Sequence, residues 1–284
     1  MRRFVIGDIH GCIATLEALL WQQLRIRPED ELYFLGDYID RGPESKAVVD
    51  LLLTLQQQGY HVTCLRGNHE QLLLDAYASE DALLLWLLNG AATTLRSFRI
   101  RHPRELPEHY RAFFAALPYF VVLEEFVLVH AGLNFRLPDP FADRHAMLWD
   151  RSEDADPAQL GGRRLIVGHT PLPLPALRRT LTRNKIFLDG GCVYGRASGL
   201  GYLCALELKS FELFVQPNVE REHRPWHCFG SSLATSCTAP SSRQATSDST
   251  PKGHHSARQN GWRPNSSTAR SSFSARSMPS SFLR

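Results

Sequence analysis

Three short stretches near the amino end concentrate the residues able to bind a metal or move a proton. They are Gly7-Asp8-Ile9-His10-Gly11, Gly36-Asp37-Tyr38-Ile39-Asp40-Arg41-Gly42 and Gly67-Asn68-His69-Glu70. Asp8 and His10 stand two positions apart, and on an extended backbone side chains at that spacing point the same way. The flanking glycines let the chain turn without steric penalty. Carboxylate oxygen and imidazole nitrogen without thiolate suit Mn²⁺, Fe or Zn²⁺ at a reactive centre better than structural zinc, which more often uses Cys. A single Asp-x-His would be an ordinary cap or turn. Three such clusters in succession, each behind a short apolar run, are not explained that way.

The elements that must carry these clusters follow from hydrophobic periodicity. Phe4-Val5-Ile6, Leu32 to Leu35 and His61 to Leu65 read as three strands, each ending just before a cluster. Between them Ile13, Leu16, Leu19, Leu20 and Leu24 recur at helical spacing, as do Ala47, Val48, Leu51, Leu52 and Leu55 behind Pro43. A Leu-rich helical stretch is expected from Gln71 to Leu88 and another helix around His109 to Leu117. Strand, loop, helix, repeated three times, predicts an α/β fold with functional loops at the strand ends. The second half reads as strands joined by loops: Tyr119–Leu123, Phe126–His130, Leu165–Gly168, Lys185–Leu188, Tyr202–Leu208 and Phe211–Val215. Leu83 to Leu88 reads as core packing or cover for a cleft, and Asp189-Gly190-Gly191 as a strand-ending turn or a loop closing the site.

The three clusters, in this order, resemble the signature of the phosphoprotein phosphatase family of metallophosphoesterases. His130-Ala131-Gly132 and Gly168-His169-Thr170 resemble the family's two downstream metal-histidine motifs, so the likeness spans about residues 4 to 208. Leu148-Trp149-Asp150-Arg151 makes the chain more similar to the compact bacterial and phage members than to the longer eukaryotic ones. The resemblance implies a calcineurin-like fold, a β-sandwich of two mixed sheets flanked by helices. It also implies two divalent metal ions, most readily Mn²⁺ in vitro, with Fe or Zn²⁺ as alternatives. Asp8 and His10 would hold one ion, Asp37 would bridge, and Asn68, His130 and His169 would complete the second. A hydroxide between the ions would then attack phosphorus directly. His69 resembles the general acid, Asp40 the residue orienting it, and Arg41 a phosphate clamp. Arg151 matches a second phosphate-contacting arginine, for which an ion pair with Asp150 or Glu153 is the competing reading. Arg66 matches a substrate-contacting position, with loop support as its competitor.

The implied activity is hydrolysis of phosphoserine or phosphothreonine in proteins, with phosphotyrosine as an alternative. The neighbouring symmetrical diadenosine tetraphosphate hydrolases usually carry Ala where this chain has Asp40 and Asp where it has Glu70, so both positions favour the protein phosphatase. A binding module that had lost catalysis would lack a ligand or the acid, and every such position is filled.

Composition bounds the rest. The chain has 284 residues, 43% hydrophobic and 21% charged, which suits a globular protein with a substantial core. Its net charge of +3 hides an asymmetry, because residues 221–284 carry nine Lys/Arg against two Asp/Glu while the remainder is acidic. An acidic body argues against nucleic acid as a partner. Sixteen Ser and few aliphatics in residues 221–284 predict a disordered tail, placing a catalytic domain at 1–218 and the tail at 219–284. Six Cys without paired spacing, no signal-like leader and no apolar run long enough for a membrane span predict a cytoplasmic protein with reduced thiols.

Overall fold

Successive side chains of a strand face opposite ways, and here both faces of the early strands are apolar, so each strand must be covered twice. The computed structural model, which describes residues 1–194 and 199–220, meets that demand with two stacked sheets and flanking helices. The first half runs β1 (Arg3–Ile6), α1 (Ile13–Glu17, continued by a wider π-helical segment Ala18–Leu24), β2 (Glu31–Phe34), α2 (Ser45–Gln57) and β3 (His61–Cys64). Four helices follow: α3 (Asn68–Asp75), α4 (Glu80–Leu88), α5 (Ala91–Phe98) and α6 (Glu108–Ala116). The second half runs β4 (Phe120–Val122), β5 (Phe126–Val129), α7 (Arg144–Trp149), β6 (Arg164–Val167), α8 (Leu174–Thr180), β7 (Lys185–Phe187), β8 (Asp189–Gly190), β9 (Tyr202–Glu207) and β10 (Leu213–Pro217).

One sheet has the order β10-β9-β1-β2-β3 with β8 against β9, and the other β4-β5-β6-β7. Both are mixed: β1, β2 and β3 are mutually parallel, as are β5, β6 and β7, while β9, β10 and β4 pair antiparallel. Val5, Leu35, Leu128, Ile166, Ile186 and Leu206, all fully buried, form the layer between the sheets. Phe4, Ile6, Leu32 and Phe34 face the other way, onto Leu16, Val48 and Leu52 of α1 and α2. Val129, Leu165 and Val167 pack outward on Met147 and Leu160. A one-residue slip would move Val5 and Ile6 each to the wrong layer, so this double burial fixes the register.

Several expectations are corrected. The stretch from Gln71 to Leu88 is two helices, broken before Ser79, whose hydroxyl caps α4 by accepting from Ala82 N. Only Trp86 of its apolar run is buried; Leu84, Leu85, Leu87 and Leu88 are 40–77% exposed. Helix α5 was not expected, and α7 and α8 stand where the second half was read as loops. Asp143 caps α7 through Ala146 N, and Pro173 starts α8. The last strand lies two residues later than expected, because Phe211 has a left-handed φ of 60° and belongs to the turn. Beyond the boundary expected at 218, Val219 N donates to Thr15 Oγ1 and Glu220 accepts from Thr15 N. The tail expectation for 221–284 lies outside the described residues. Among the described residues no helix is long and apolar enough to cross a membrane, and Cys12, Cys64, Cys192 and Cys204 are buried free thiols.

Candidate active site

All six predicted ligands follow the carboxyl ends of parallel strands, the edge where open α/β sheets place their sites. Asp8 and His10 follow β1, Asp37 follows β2, Asn68 opens α3 after β3, and His130 and His169 follow β5 and β6. Each is at most 6% exposed. Reaching this arrangement strains the chain: His10, Asp37, Asp40, Arg41 and His169 all have φ between 48° and 71°. Non-glycine residues rarely adopt that conformation, and such residues cluster at functional sites. Close approach also selects glycine at 168, where a Cβ would stand 2.0 Å from Asp8 Oδ1.

Asp37 is the meeting point. Its Oδ2 lies 3.5 Å from His10 Nε2 and its Oδ1 3.5 Å from His130 Nε2. Two donor groups within metal-binding reach share it, His10-Asp37-His69 and Asp37-His130-His169. Asp8 is in neither group, but its Oδ2 accepts from His169 N at 2.9 Å. Asn68 Oδ1 lies 2.9 Å from His130 Nε2 and 3.0 Å from His169 Nδ1. Neighbouring ligands around an octahedral ion at ~2.1 Å are separated by about 3 Å, which is this spacing.

Hydrogen bonding sets the imidazoles for metal. His10 and His130 donate Nδ1–H to the carbonyls of Ile39 and Leu35, at 2.9 Å each, leaving the Nε2 lone pairs turned into the site. Burial, the largest influence on each, drives His10 down to about 3, His169 down to about 2 and His130 below its ordinary range. All three are therefore neutral at pH 7. The His130 Nε2 lone pair then faces oxygen acceptors of both Asn68 and Asp37, an approach that a cation between them satisfies. Asp8 Oδ1 and His169 Nε2 are likewise buried with no hydrogen-bond partner. Burial opposes the charge on Asp37, yet the surrounding imidazoles, His130 foremost, hold its carboxyl below the ordinary range. The residues present fit a pair of divalent ions.

The His69–Asp40 pair is separately built. His69 Nδ1 lies 2.7 Å from Asp40 Oδ2, both side chains being fully buried. Asp40 is saturated by residues that sequence reasoning missed: Trp86 Nε1 donates to Oδ2 at 2.8 Å and Thr94 Oγ1 to Oδ1 at 2.6 Å. Burial works against a charged His69, but Asp37 and Asp40 outweigh it and raise its pKa. Its Nε2 is buried and without a partner. Glu70 also proved structural to the site, since it accepts from Asp37 N, Tyr38 N and Gly67 N at 2.8–2.9 Å. Its carboxylate ties the loop after β2 to the start of α3. Burial pushes that carboxyl up to about 7. Trp86 and Thr94 carried no signal in spacing or type, whereas Glu70 lay inside a motif.

The three arginines differ. Arg41 is exposed and its Nη1 donates to His10 Nε2 at 2.7 Å. Arg151 is exposed, and neither expected partner pairs with it. Asp150 instead binds the buried Lys185 Nζ at 2.9 Å, and Glu153 meets Arg183 at 3.4 Å. Lys185 Nζ also donates to Ser152 O at 2.8 Å, so one ammonium fastens both neighbours of Arg151. Arg151 shares the wall of an open cleft of about 550 Å³ with Trp149, whose indole stands edge-on 5.9 Å from the His169 ring. For Arg66 the contacts are those of the competing loop-support reading. Its guanidinium is taken up by Phe114 O and Ala115 O at the end of α6, by Gln71 Oε1 and by Tyr119. It bolts the loop before α3 to α6. Asp189-Gly190, expected as a strand-ending turn or a loop, instead forms β8 against β9, and Asp189 lies buried beside Asp8, whose carboxyl burial and then this second carboxylate raise.

The model of the calcineurin-like phosphoesterase family matches residues 1–204, and the chain belongs to that family. It is a hydrolase of the metallophosphoesterase class. Over 204 residues it is 32% identical to serine/threonine-protein phosphatase 1 of Salmonella typhimurium, covering 68% of this chain and 87% of that protein. It is also 28% identical over 222 residues to an asymmetrical bis(5'-nucleosyl)-tetraphosphatase of Geobacillus thermodenitrificans, covering 68% and 86%. Among solved structures, a putative diadenosine tetraphosphatase shares the fold with a TM-score of 0.55 at 23% identity, covering 76% of this chain and 93% of its own.

Proposed function

We propose that the chain is a metal-dependent phosphomonoesterase acting on phosphoserine or phosphothreonine in proteins, with phosphotyrosine as an alternative. The observation that carries this reading is the buried His69–Asp40 pair, which presents an unpartnered Nε2 beside Asp37. An alkoxide such as serine's is a poor leaving group and needs a proton delivered as the P–O bond breaks. Asp40 accepts Nδ1–H, and Trp86 and Thr94 fix Asp40 in turn. The proton to be delivered is the second one, on Nε2 of the imidazolium that Asp37 and Asp40 favour against burial. The similarity to a serine/threonine-protein phosphatase over most of its length gives further support.

Asp8, His10, Asp37, Asn68, His130 and His169 would hold two divalent ions, with Mn²⁺ our choice for activity in vitro and Fe or Zn²⁺ as alternatives. Bound there, the ions would draw charge from the phosphate and acidify bound water. Arg41 and Arg151 would orient the phosphate, a guanidinium fork matching two of its oxygens. The tetraphosphatase relative supports a second reading, hydrolysis of a dinucleoside tetraphosphate.

The test is phosphate release from a phosphoserine peptide, a phosphotyrosine peptide and diadenosine tetraphosphate, by metal-stripped protein with and without Mn²⁺. Mn²⁺-dependent turnover of a peptide with little cleavage of the dinucleotide is the expected result. Preferential cleavage of the dinucleotide would replace the reading with the second one.

A further inference from the structure

We propose that a small basic cavity beside Arg151 holds a second anionic group of the substrate, next to the phosphate being hydrolysed; this rests on the phosphomonoesterase reading. The cavity, about 230 Å³, is walled by Arg151, Arg179 and Arg183, with Thr170, Leu172 and Phe187 completing it. Arg151 also lines the larger cleft, so the two spaces meet at the predicted phosphate clamp. Whole small ligands occupy about 300–1,000 Å³, and this space therefore suits one substituent of a substrate rather than all of it.

The charge of the cavity is not internally balanced. It has three guanidinium groups and one carboxylate, Glu153, which meets Arg183 at 3.4 Å with both side chains more than half exposed. Among the described residues Arg151 and Arg179 have no ion pair. Thr170, directly after His169, lines the same cavity with a buried hydroxyl that has no hydrogen-bond partner. Two unpaired guanidinium groups and a spare hydroxyl donor define an acceptor-rich, negatively charged guest. Leu172, Ala176 and Phe187 contribute an apolar wall, which strengthens a charge–charge contact relative to open water. Two sources could supply that charge: an acidic residue flanking the phosphoresidue of a peptide, or the next phosphate of a polyphosphate chain.

The test compares wild type with Arg179→Ala/Arg183→Ala, neither residue belonging to the catalytic machinery. The first readout uses non-hydrolysable phosphonate analogues of phosphoserine peptides as inhibitors of p-nitrophenyl phosphate hydrolysis, with Glu or Gln on both sides of the phosphonate. The Glu analogue should inhibit wild type about 5–10-fold more tightly, the size of one or two partly exposed charge contacts, and less so in high salt. In the double variant that preference should vanish while p-nitrophenyl phosphate turnover and the Gln analogue's inhibition are unchanged. The second readout is the KM for diadenosine tetraphosphate. A rise there in the variant, with no Glu preference in wild type, would make the guest a phosphate. Equal inhibition by both analogues together with an unchanged KM for the dinucleotide would overturn the subsite, as would a Glu preference that survives the double substitution. Because inhibition is read against an activated aryl phosphate, the outcome stands apart from failure to hydrolyse phosphoserine.

Discussion

The two halves of the molecule contribute to one site by different means. In the first, each cluster is held by another a few dozen residues away: Ile39 O orients His10, Glu70 fastens the backbone of Asp37, and Asp37 caps His69. In the second, the functional groups stand on separate loops and are secured by residues outside their own motifs, His169 by Asp8 and Asn68 of the first half. His130 depends on Leu35 O, and Arg151 on the buried ammonium of Lys185 acting through its neighbours. Interlocked clusters carry their support inside the motif, while isolated groups borrow it from the sheet. Removing a support should therefore be partly compensated inside the motifs and most fully felt at Arg151, whose neighbours share the one ammonium of Lys185.

The largest effect should come from His69→Asn. Turnover of phosphoserine peptide is expected to fall by about 10²–10⁴-fold, the range for losing a positioned acid, with a far smaller loss on p-nitrophenyl phosphate, whose leaving group needs no proton. Equal losses on both would remove His69 from the acid role. Lys185→Met comes next. It leaves Asp150 without its buried cation and should cost about 3–5 kcal/mol by denaturant titration. Adding Asp150→Leu should restore the melting temperature while kcat/KM stays low, because Arg151 has lost its anchor. Recovery of both together would reduce Lys185 to a packing role.

The contrast between arginines is sharper still. Arg151→Ala should lower kcat/KM by about 10-fold or more through KM without a shift in melting temperature, losing a charge-assisted contact to phosphate. Arg66→Ala should do the reverse, lowering stability by about 1–3 kcal/mol because the α6 carbonyls lose their donors, with kcat/KM of the folded protein within about twofold. Thr94→Val should be smallest, a severalfold loss in kcat for phosphoserine with KM unchanged, since Asp40 keeps its Trp86 donor.

The sequence carried the site further than its supports. The clusters holding Asp8, His10, Asp37, Asn68 and His69 stood out because residue type and glycine flanks are local properties, whereas their roles, and the choice of His130 and His169 at all, came from the resemblance to the phosphoprotein phosphatase motifs. Short apolar runs likewise marked β1 and β2, whose burial on both faces leaves no alternation. Trp86 was read as packing because indole donors look like core residues until their acceptor is known, and Asp40 lies 46 residues away. The two readings of Arg66 could not be separated for the same reason, since the carbonyls that take up its guanidinium lie 48 and 49 residues away in α6. Helices α7 and α8 escaped periodicity because six or seven residues make too few turns to show a stripe.

The claim on which all of this rests is that both halves converge on Asp37. Calorimetric titration of the metal-stripped protein with Mn²⁺ tests it most directly, comparing wild type with Asp8→Asn, His169→Asn and Asp37→Asn. The account predicts two ions bound by wild type, weakening of one site in each of the first two variants, and weakening of both in Asp37→Asn. Two ions bound with undiminished affinity by Asp37→Asn would contradict it.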